Sequence, residues 1–360
     1  MGVSILTGDA LELLRTLPDG MAQCCVTSPP YFGLRDYGVA GQIGMEETPD
    51  AFVARLVEVF REVRRVLRND GTLWLNIGDT YAGSWGAQSK RLTPQQQGWK
   101  NGVENMPKMA RRMGSVRAAG VKPKDLFGIP WMLAFALRAD GWWLRSDIIW
   151  HKPNPMPESI VDRPTSAHEH VFLLSKSSRY FYDAAALREP VSESTNARLS
   201  QDVQAQVGSI RANGGARAEK PMKAVGRKFD PGAGNKNNPS FDAAMAIMPS
   251  ERNSRNVWTI ASQPYSGAHF ATMPPALAAR CIKGGSRPGG MVLDPFGGAG
   301  TTGLAADRLG RRATLLELNP EYAELARSRI NAEATLLAPA GNPSTPFGNS
   351  SVNFSRAEPA

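Results

Sequence analysis

Two short stretches of this chain carry residue types whose spacing could do chemistry. The first is Thr27-Ser28-Pro29-Pro30-Tyr31, placed directly after the apolar run Cys24-Cys25-Val26. A proline cannot donate to a sheet ladder, and the residue before it is pushed out of the helical region. Ser28 to Tyr31 is therefore expected to form a rigid loop at the carboxyl end of a strand, where open α/β sheets bind ligands. The loop offers a hydroxyl, a Pro29 carbonyl held free of ladder bonds, and an aromatic ring. An ordinary strand terminator would look the same, so a second motif has to decide.

That motif is Asp294-Pro295-Phe296-Gly297-Gly298-Ala299-Gly300-Thr301-Thr302, followed by Glu317-Leu318-Asn319. Glycines between a strand and a helix let the backbone approach a bound cofactor closely. Taken literally, Gly298-Ala-Gly300-Thr-Thr-Gly303 fits a dinucleotide pattern, with Glu317 at the end of the next strand to hold a ribose. It is not a nucleotide P-loop, because Thr301-Thr302 stands where Gly-Lys-Ser/Thr is required. A nicotinamide enzyme would also place a glycine, not Asp294, against the pyrophosphate. A carboxylate there repels phosphate and suits an ammonium. The implied ligand is an adenosine joined to an amino acid.

The elements that position these loops alternate between strands and helices. Strands are expected at Val3 to Leu6, Gln23 to Val26, Thr72 to Ile77, Trp142 to Trp150, His170 to Ser175, Met291 to Leu293 and Ala313 to Leu316. Helices are expected at Ala10 to Leu17, Pro130 to Arg138, Ala276 to Ile282 and Thr301 to Leu309, with a last one capped by Asn319. From Asp50, an amphipathic helix aligns Phe52, Leu56, Phe60, Val63 and Leu67, and Asn69-Asp70-Gly71 is expected to stop it. This alternation predicts an α/β fold with a doubly wound, mostly parallel sheet.

With 360 residues, the chain accommodates one large domain with insertions. No apolar run reaches the roughly 18 residues of a membrane helix. The amino terminus lacks the basic flank and apolar core of a secretory signal. Three cysteines without metal-pair spacing fit a reduced, cytoplasmic setting. The net charge of +9 suits a polyanionic partner. It is concentrated in two stretches, each long and polar enough to be a functional loop or a solvated linker. In one, Lys90, Arg91, Arg111, Arg112, Arg117, Lys122 and Lys124 meet few acids; the other holds Arg217, Lys220, Lys223, Arg227 and Lys228. The organisation expected is a catalytic half over 1–82, a basic insertion over 83–125 and a continuation over 126–187. A basic target-recognition insertion over 188–255, a cofactor half over 256–337 and a loose tail over 338–360 follow.

The two motifs together, in this order, resemble the amino-group DNA methyltransferases that use S-adenosylmethionine, in the β class where the catalytic tetrapeptide precedes the cofactor glycines. The stretches ILTGDALELLRTLPDG, VLRNDGTLWLNIGDTY, DIIWHKPNPMPES and HFATMPPALAARCI extend the resemblance over most of the chain. It implies a Rossmann-like methyltransferase fold with permuted motif order. Asp294 to Gly300 and Thr301 would wrap the methionine part of the cofactor, and Glu317, with Leu318 and Asn319, would hold the ribose. Asp9 and Ala10 would meet the adenine, though Asp9 also suits a helix N-cap. His269-Phe270-Ala271 would close over the methionine carboxylate. Ser28, Pro29, Pro30 and Tyr31 would hold the amino nitrogen of a base flipped out of double-stranded DNA. The basic residues above would grip phosphates. A homodimer is implied as well.

Cys24 and Cys25 lie inside a strand, not in the Pro-Pro loop that ring-carbon methylation would require. His168-Glu169-His170 lacks the partners of a metal site, and none is expected. RNA or glutamine-amide methyltransferases usually place the glycine motif first, and a non-catalytic DNA-binding protein would not need an intact cofactor loop. Within the family, Ser-Pro-Pro-Tyr leans toward cytosine N4 and Asp- or Asn-Pro-Pro-Tyr marks adenine N6. Both bases present the same amino geometry, and the sequence leaves them open.

Overall fold

The computed structural model describes residues 2–33, 39, 41–82, 121–122, 124–191, 251–263 and 273–337. In the amino-terminal part, β1 (Val3–Thr7), α1 (Ala10–Thr16), β2 (Ala22–Thr27), α2 (Pro49–Val66) and β3 (Leu67–Ile77) follow one another. The middle holds α3 (Ile129–Ala139), β4 (Trp143–His151), β5 (His168–Ser175), the two-residue strands β6 (Glu189–Pro190) and β7 (Glu251–Arg252), and β8 (Val257–Thr259). The carboxyl-terminal part adds α4 (Pro275–Gly285), β9 (Met291–Asp294), α5 (Thr301–Arg308), β10 (Arg312–Glu317) and α6 (Pro320–Leu337).

Eight strands form one sheet in the order β1-β10-β9-β2-β3-β5-β4-β8. All its pairings are parallel except those that β5 makes with β3 and β4, so β5 alone is reversed. The mostly parallel, doubly wound expectation holds. Buried parallel strands read as continuous apolar runs because both faces are covered. β2 shows this, since all six of its residues are buried. Its pleat sends Cys25 into one core and Cys24 and Val26 into the other.

One face is covered by α1, α2 and α3, whose Leu14, Phe52, Leu56, Phe60, Val63 and Leu133 pack with Leu73 and Leu75 of β3. Each such side chain contributes about 1.5–3 kcal/mol on full burial. The other face is covered by α4 and α5, through Leu277, Ile282, Ala305 and Ala306, against Trp74 and Val292. The α2 stripe thus matches the sequence reading, but the helix stops earlier than expected. Leu67 turns extended while its N–H still bonds Val63, and it pairs with Ala22 of β2. Lys176 Nζ donates to its carbonyl at 2.8 Å. Asn69-Asp70-Gly71 therefore belongs to β3 and not to a helix stop.

The ends of both basic stretches meet. Beside a Tyr81–Leu126 bridge, Ala82 N–H donates to the Asp125 carbonyl at 2.8 Å and the Ala82 carbonyl accepts from Lys124 N–H at 2.7 Å. The other stretch leaves and returns through the antiparallel β6–β7 pair. No helix among the described residues is long and apolar enough to cross a membrane.

Candidate active site

The parallel strands all end at one edge of the sheet, and the reversed β5 begins there. Along this edge lies a cavity of about 820 Å³. The two motifs face it from neighbouring strands, β2 and β9, at the point where the sheet order departs from chain order in opposite directions. Such a switch point is where doubly wound sheets bind ligands. The strand tips are joined directly: the Thr27 hydroxyl donates to Asp294 Oδ1 at 2.6 Å. Asp294 is only 3 % exposed, and the same oxygen accepts from Phe296 N–H at 3.0 Å. Burial pushes its carboxyl up, against the pull of the Thr27 and Thr302 hydroxyls and that backbone bond.

The glycine loop is held from β10. Glu317 accepts from Gly298 N–H at 2.7 Å through one oxygen and from Asn319 N–H at 2.9 Å through the other. Its carboxyl is raised by burial, with those backbone donors opposing. Asp9 lines the cavity from the end of β1 and caps α1 by accepting from Glu12 N–H at 3.0 Å. Asn319 caps α6 in the same way through Glu321 N–H at 2.9 Å.

The three glycines divide their work. Gly298 (φ +49°) faces the cavity, and an added Cβ would meet only the Phe296 carbonyl at 3.9 Å. Gly300 (φ +78°) is buried away from the cavity lining, and an added Cβ would lie 2.8 Å from Ala326 Cβ on α6. Gly300 thereby lets the loop pack on α6. Gly297 faces the cavity but would bring a Cβ to 3.0 Å from Leu315 Cβ.

Ser28, Pro29, Pro30 and Tyr31 line the same cavity, as do Ala10, Pro295, Phe296, Thr301 and Leu318. Beside Ser28 and Tyr31 stand three residues that the sequence reading did not single out. Tyr31 OH donates to Glu169 Oε2 at 2.5 Å, Asn76 Nδ2 lies 3.3 Å from Ser28 Oγ, and Lys152 forms an ion pair with Glu169. Glu169 sits inside His168-Glu169-His170, where the strand pleat turns it away from the two histidines. His170 bonds Asp147 at 2.9 Å and stacks on Phe172. Also missed was Asp79, at the end of β3, which accepts from Gly128 and Ile129 N–H at 2.9 and 3.1 Å and so caps α3 from outside that helix.

All three cysteines are buried and free, and burial pushes the Cys24 thiol up to about 12, which fits core packing. Of the basic residues expected on DNA, Lys124 forms an exposed pair with Asp162 at 2.6 Å, and Lys122 bonds Asp125 through its backbone N–H. Lys90, Arg91, Arg111, Arg112, Arg117, Arg217, Lys220, Lys223, Arg227 and Lys228 lie outside the described residues, as do His269, Phe270 and Ala271.

Residues 22–328 match the profile of the DNA methylase family that covers N6 and N4 methylases. The chain belongs to this DNA methylase family. It is 42% identical over 332 residues to the Type II methyltransferase M.XycI of Xanthomonas campestris pv. cyanopsidis, covering 92% of this chain and 89% of that protein. It is likewise 42% identical over 326 residues to the Type II methyltransferase M.SmaI of Serratia marcescens, at 91% and 90% coverage. Among solved structures, the methylase fold is shared with the cytosine-N4-specific PvuII DNA methyltransferase, with a TM-score of 0.56, 19% identity, and 91% and 86% of the two chains covered. It is shared also with a DNA modification methylase of Thermus thermophilus complexed with S-adenosyl-L-methionine, with a TM-score of 0.50, 23% identity, and 92% and 96% coverage.

The division among the methylase's glycines is testable by chemical denaturation. Gly300→Ala should cost roughly 2–4 kcal/mol, from overpacking against α6 together with positive-φ strain. Gly298→Ala should cost only about 1 kcal/mol, from strain alone. Equal losses would contradict the assignment.

Proposed function

We propose that this DNA methylase transfers the methyl group of S-adenosylmethionine to the exocyclic amino nitrogen of adenine or cytosine, on a base turned out of duplex DNA. The observation that carries this reading is the junction of β2 and β9. There the Ser28–Tyr31 loop and the Asp294–Gly298 loop share one cavity, with their strands tied by the 2.6 Å Thr27–Asp294 bond.

The residues present suit the cofactor. Gly298 leaves open space at the cavity wall, and Glu317 and Asp9 supply carboxylates from neighbouring strands. In this reading Glu317 accepts from the ribose hydroxyls, Asp9 meets the adenine, and the Asp294 loop holds the methionine part, with His269 to Ala271 closing over its carboxylate. S-adenosylmethionine, when bound, supplies a methyl group activated by a sulfonium.

An exocyclic amino nitrogen is a poor nucleophile because its lone pair is delocalised into the ring. Ser28 Oγ and the Pro29 carbonyl accept hydrogen bonds from its two N–H groups and draw it toward tetrahedral geometry, so that its lone pair is aimed. Once the nitrogen has taken the methyl from the sulfonium, it sheds one proton to solvent. Tyr31 stacks on the base, a contact worth about 1–3 kcal/mol. Catalysis here consists of positioning and electrostatics, with no covalent protein intermediate. Tritiated methyl transfer followed by digestion of the DNA to nucleosides tests the reading and identifies the base. Label on the amino nitrogen of adenine or cytosine is expected; label on a ring carbon, or none in DNA, overturns it. Ser28→Ala and Tyr31→Ala should lower transfer by on the order of 100-fold or more, while calorimetric titration shows near-normal cofactor affinity.

Burial raises the Glu317 carboxyl, so it protonates at a higher pH than an exposed glutamate. Because the ribose hydroxyls need an ionised acceptor, cofactor affinity should fall as pH drops from neutral into the mildly acidic range. Glu317→Gln should lower affinity at neutral pH and flatten that slope, as read by titration across pH. An unchanged slope would place the ribose elsewhere.

The basic stretches are the proposed grip on DNA phosphates. Reversing Arg111 and Arg112 to Glu should weaken DNA binding and reduce its steep dependence on salt, leaving cofactor affinity unchanged. A log-log plot of affinity against salt that is flat in the unaltered protein would leave these stretches as solvated linkers.

A further inference from the structure

We infer that Glu169, Asn76 and Lys152 are positioning residues, which fix the Tyr31 ring and the Ser28 hydroxyl before a base arrives. The inference rests on the methyl-transfer reading of this site. Tyr31 is held at its hydroxyl and along one edge of its ring. Its hydroxyl donates to Glu169 Oε2 at 2.5 Å, and at the end of β3 a Cβ on Gly78 would stand 2.7 Å from Tyr31 Cε2. The ring is therefore pressed against backbone on one side while it lines the cavity. A ring already fixed loses little freedom on stacking, which is how preorganisation raises affinity and rate.

Asn76 ties this ring to the nucleophile-holding loop. Its Nδ2 lies 3.0 Å from Glu169 Oε2, 3.1 Å from Tyr31 OH and 3.3 Å from Ser28 Oγ. The carboxylate requires the NH2 end to face it, which fixes the amide's orientation. The other end, Oδ1, is buried without a partner among the described residues, in a side chain that is 3 % exposed. An orphaned buried carbonyl is a net cost. An apolar side chain would fill the place without that cost, so the amide is explained by what its NH2 holds.

Lys152 completes the group. Its ammonium pairs with Glu169 Oε1 and sits 4.5 Å from the centre of the Trp150 ring. Both Glu169 oxygens thus accept from donors, Oε1 from Lys152 and Oε2 from Tyr31 and Asn76, which fixes the carboxylate as a clamp on the Tyr31 hydroxyl. A largely buried ion pair is weak evidence for stability, since apolar replacements often fold as well or better. Its place at the Tyr31 hydroxyl gives it a different purpose.

The test compares Glu169→Gln, Tyr31→Phe, their double variant and Asn76→Leu with the unaltered enzyme. Tritiated methyl transfer to unmethylated plasmid DNA, calorimetric S-adenosylmethionine affinity and the thermal midpoint are measured for each. Glu169→Gln and Tyr31→Phe should each lower kcat/KM for DNA by about tenfold, the scale of one hydrogen bond to a charged group. The double variant should fall no further than the worse single one, because both changes remove the same interaction. Asn76→Leu should lower kcat/KM by a similar factor with an equal or higher midpoint. Cofactor affinity should be unchanged in all four. Single variants at the unaltered rate, or multiplying effects in the double, overturn the inference. So does a midpoint that falls in step with activity in both Tyr31→Phe and Asn76→Leu. If the unaltered enzyme places no label in DNA, it is the methyl-transfer reading that fails; label in DNA with normal variants refutes the clamp alone.

Discussion

The structure depends on one contact at its centre, the Thr27 hydroxyl on the Asp294 carboxylate. It joins side chains 267 positions apart in the chain and buries both. A carboxylate without donors is costly in such a place, and the hydroxyl and the Phe296 N–H offset that cost together. The bond also sets a distance. Ser28 follows Thr27 and the glycine loop follows Asp294, so in the proposed reading the spacing between the donor and acceptor halves of the transfer is set by two paired strands. Rigid elements hold such spacings more closely than loops do.

The rest of the sheet protects that spacing. β2 is buried on both faces, so a one-residue register slip would swap Cys25 with Cys24 and Val26 between two separately packed cores. The same rigidity reaches the glycine loop through Glu317, whose two oxygens hold Gly298 and Asn319, and through Gly300, which lets α6 pack closely. Phe296 extends the arrangement to the opposite helical layer, with its ring 6.4 Å from that of Phe60 on α2.

What could be read in the sequence follows from what a sequence records. Strands and helices were legible because continuous apolar runs and 3.6-residue stripes are local. The end of α2 was not, because Leu67 is drawn into β3 by pairing with Ala22, a tertiary interaction. The two loops of the site were legible because each is contiguous and rich in Pro or Gly. Asn76, Lys152 and Glu169 were not, since their meaning arises from β5 lying reversed between β3 and β4. Glu169 and Asn76 are 93 positions apart, and no local pattern announces strand order. Gly300 was legible as a glycine but not in its role, because its neighbour Ala326 is on another element. Asp79 likewise reads as an ordinary polar residue until α3 is seen to begin at its carboxylate.

The paired stems of the two basic stretches have a thermodynamic consequence. With Ala82 bonded to Lys124 and Asp125, and β6 laddered to β7, each stretch leaves and re-enters the fold at a closed gate. Glu189 reinforces the second gate through Arg280 at 2.7 Å and the nearby Arg252 and Arg255. Once the ends are held, chain added between them raises the entropy of closure only logarithmically, by about 0.6 kcal/mol for each doubling of length. The stability of the described fold is thereby only weakly dependent on the lengths of the segments between 83 and 120 and between 192 and 250.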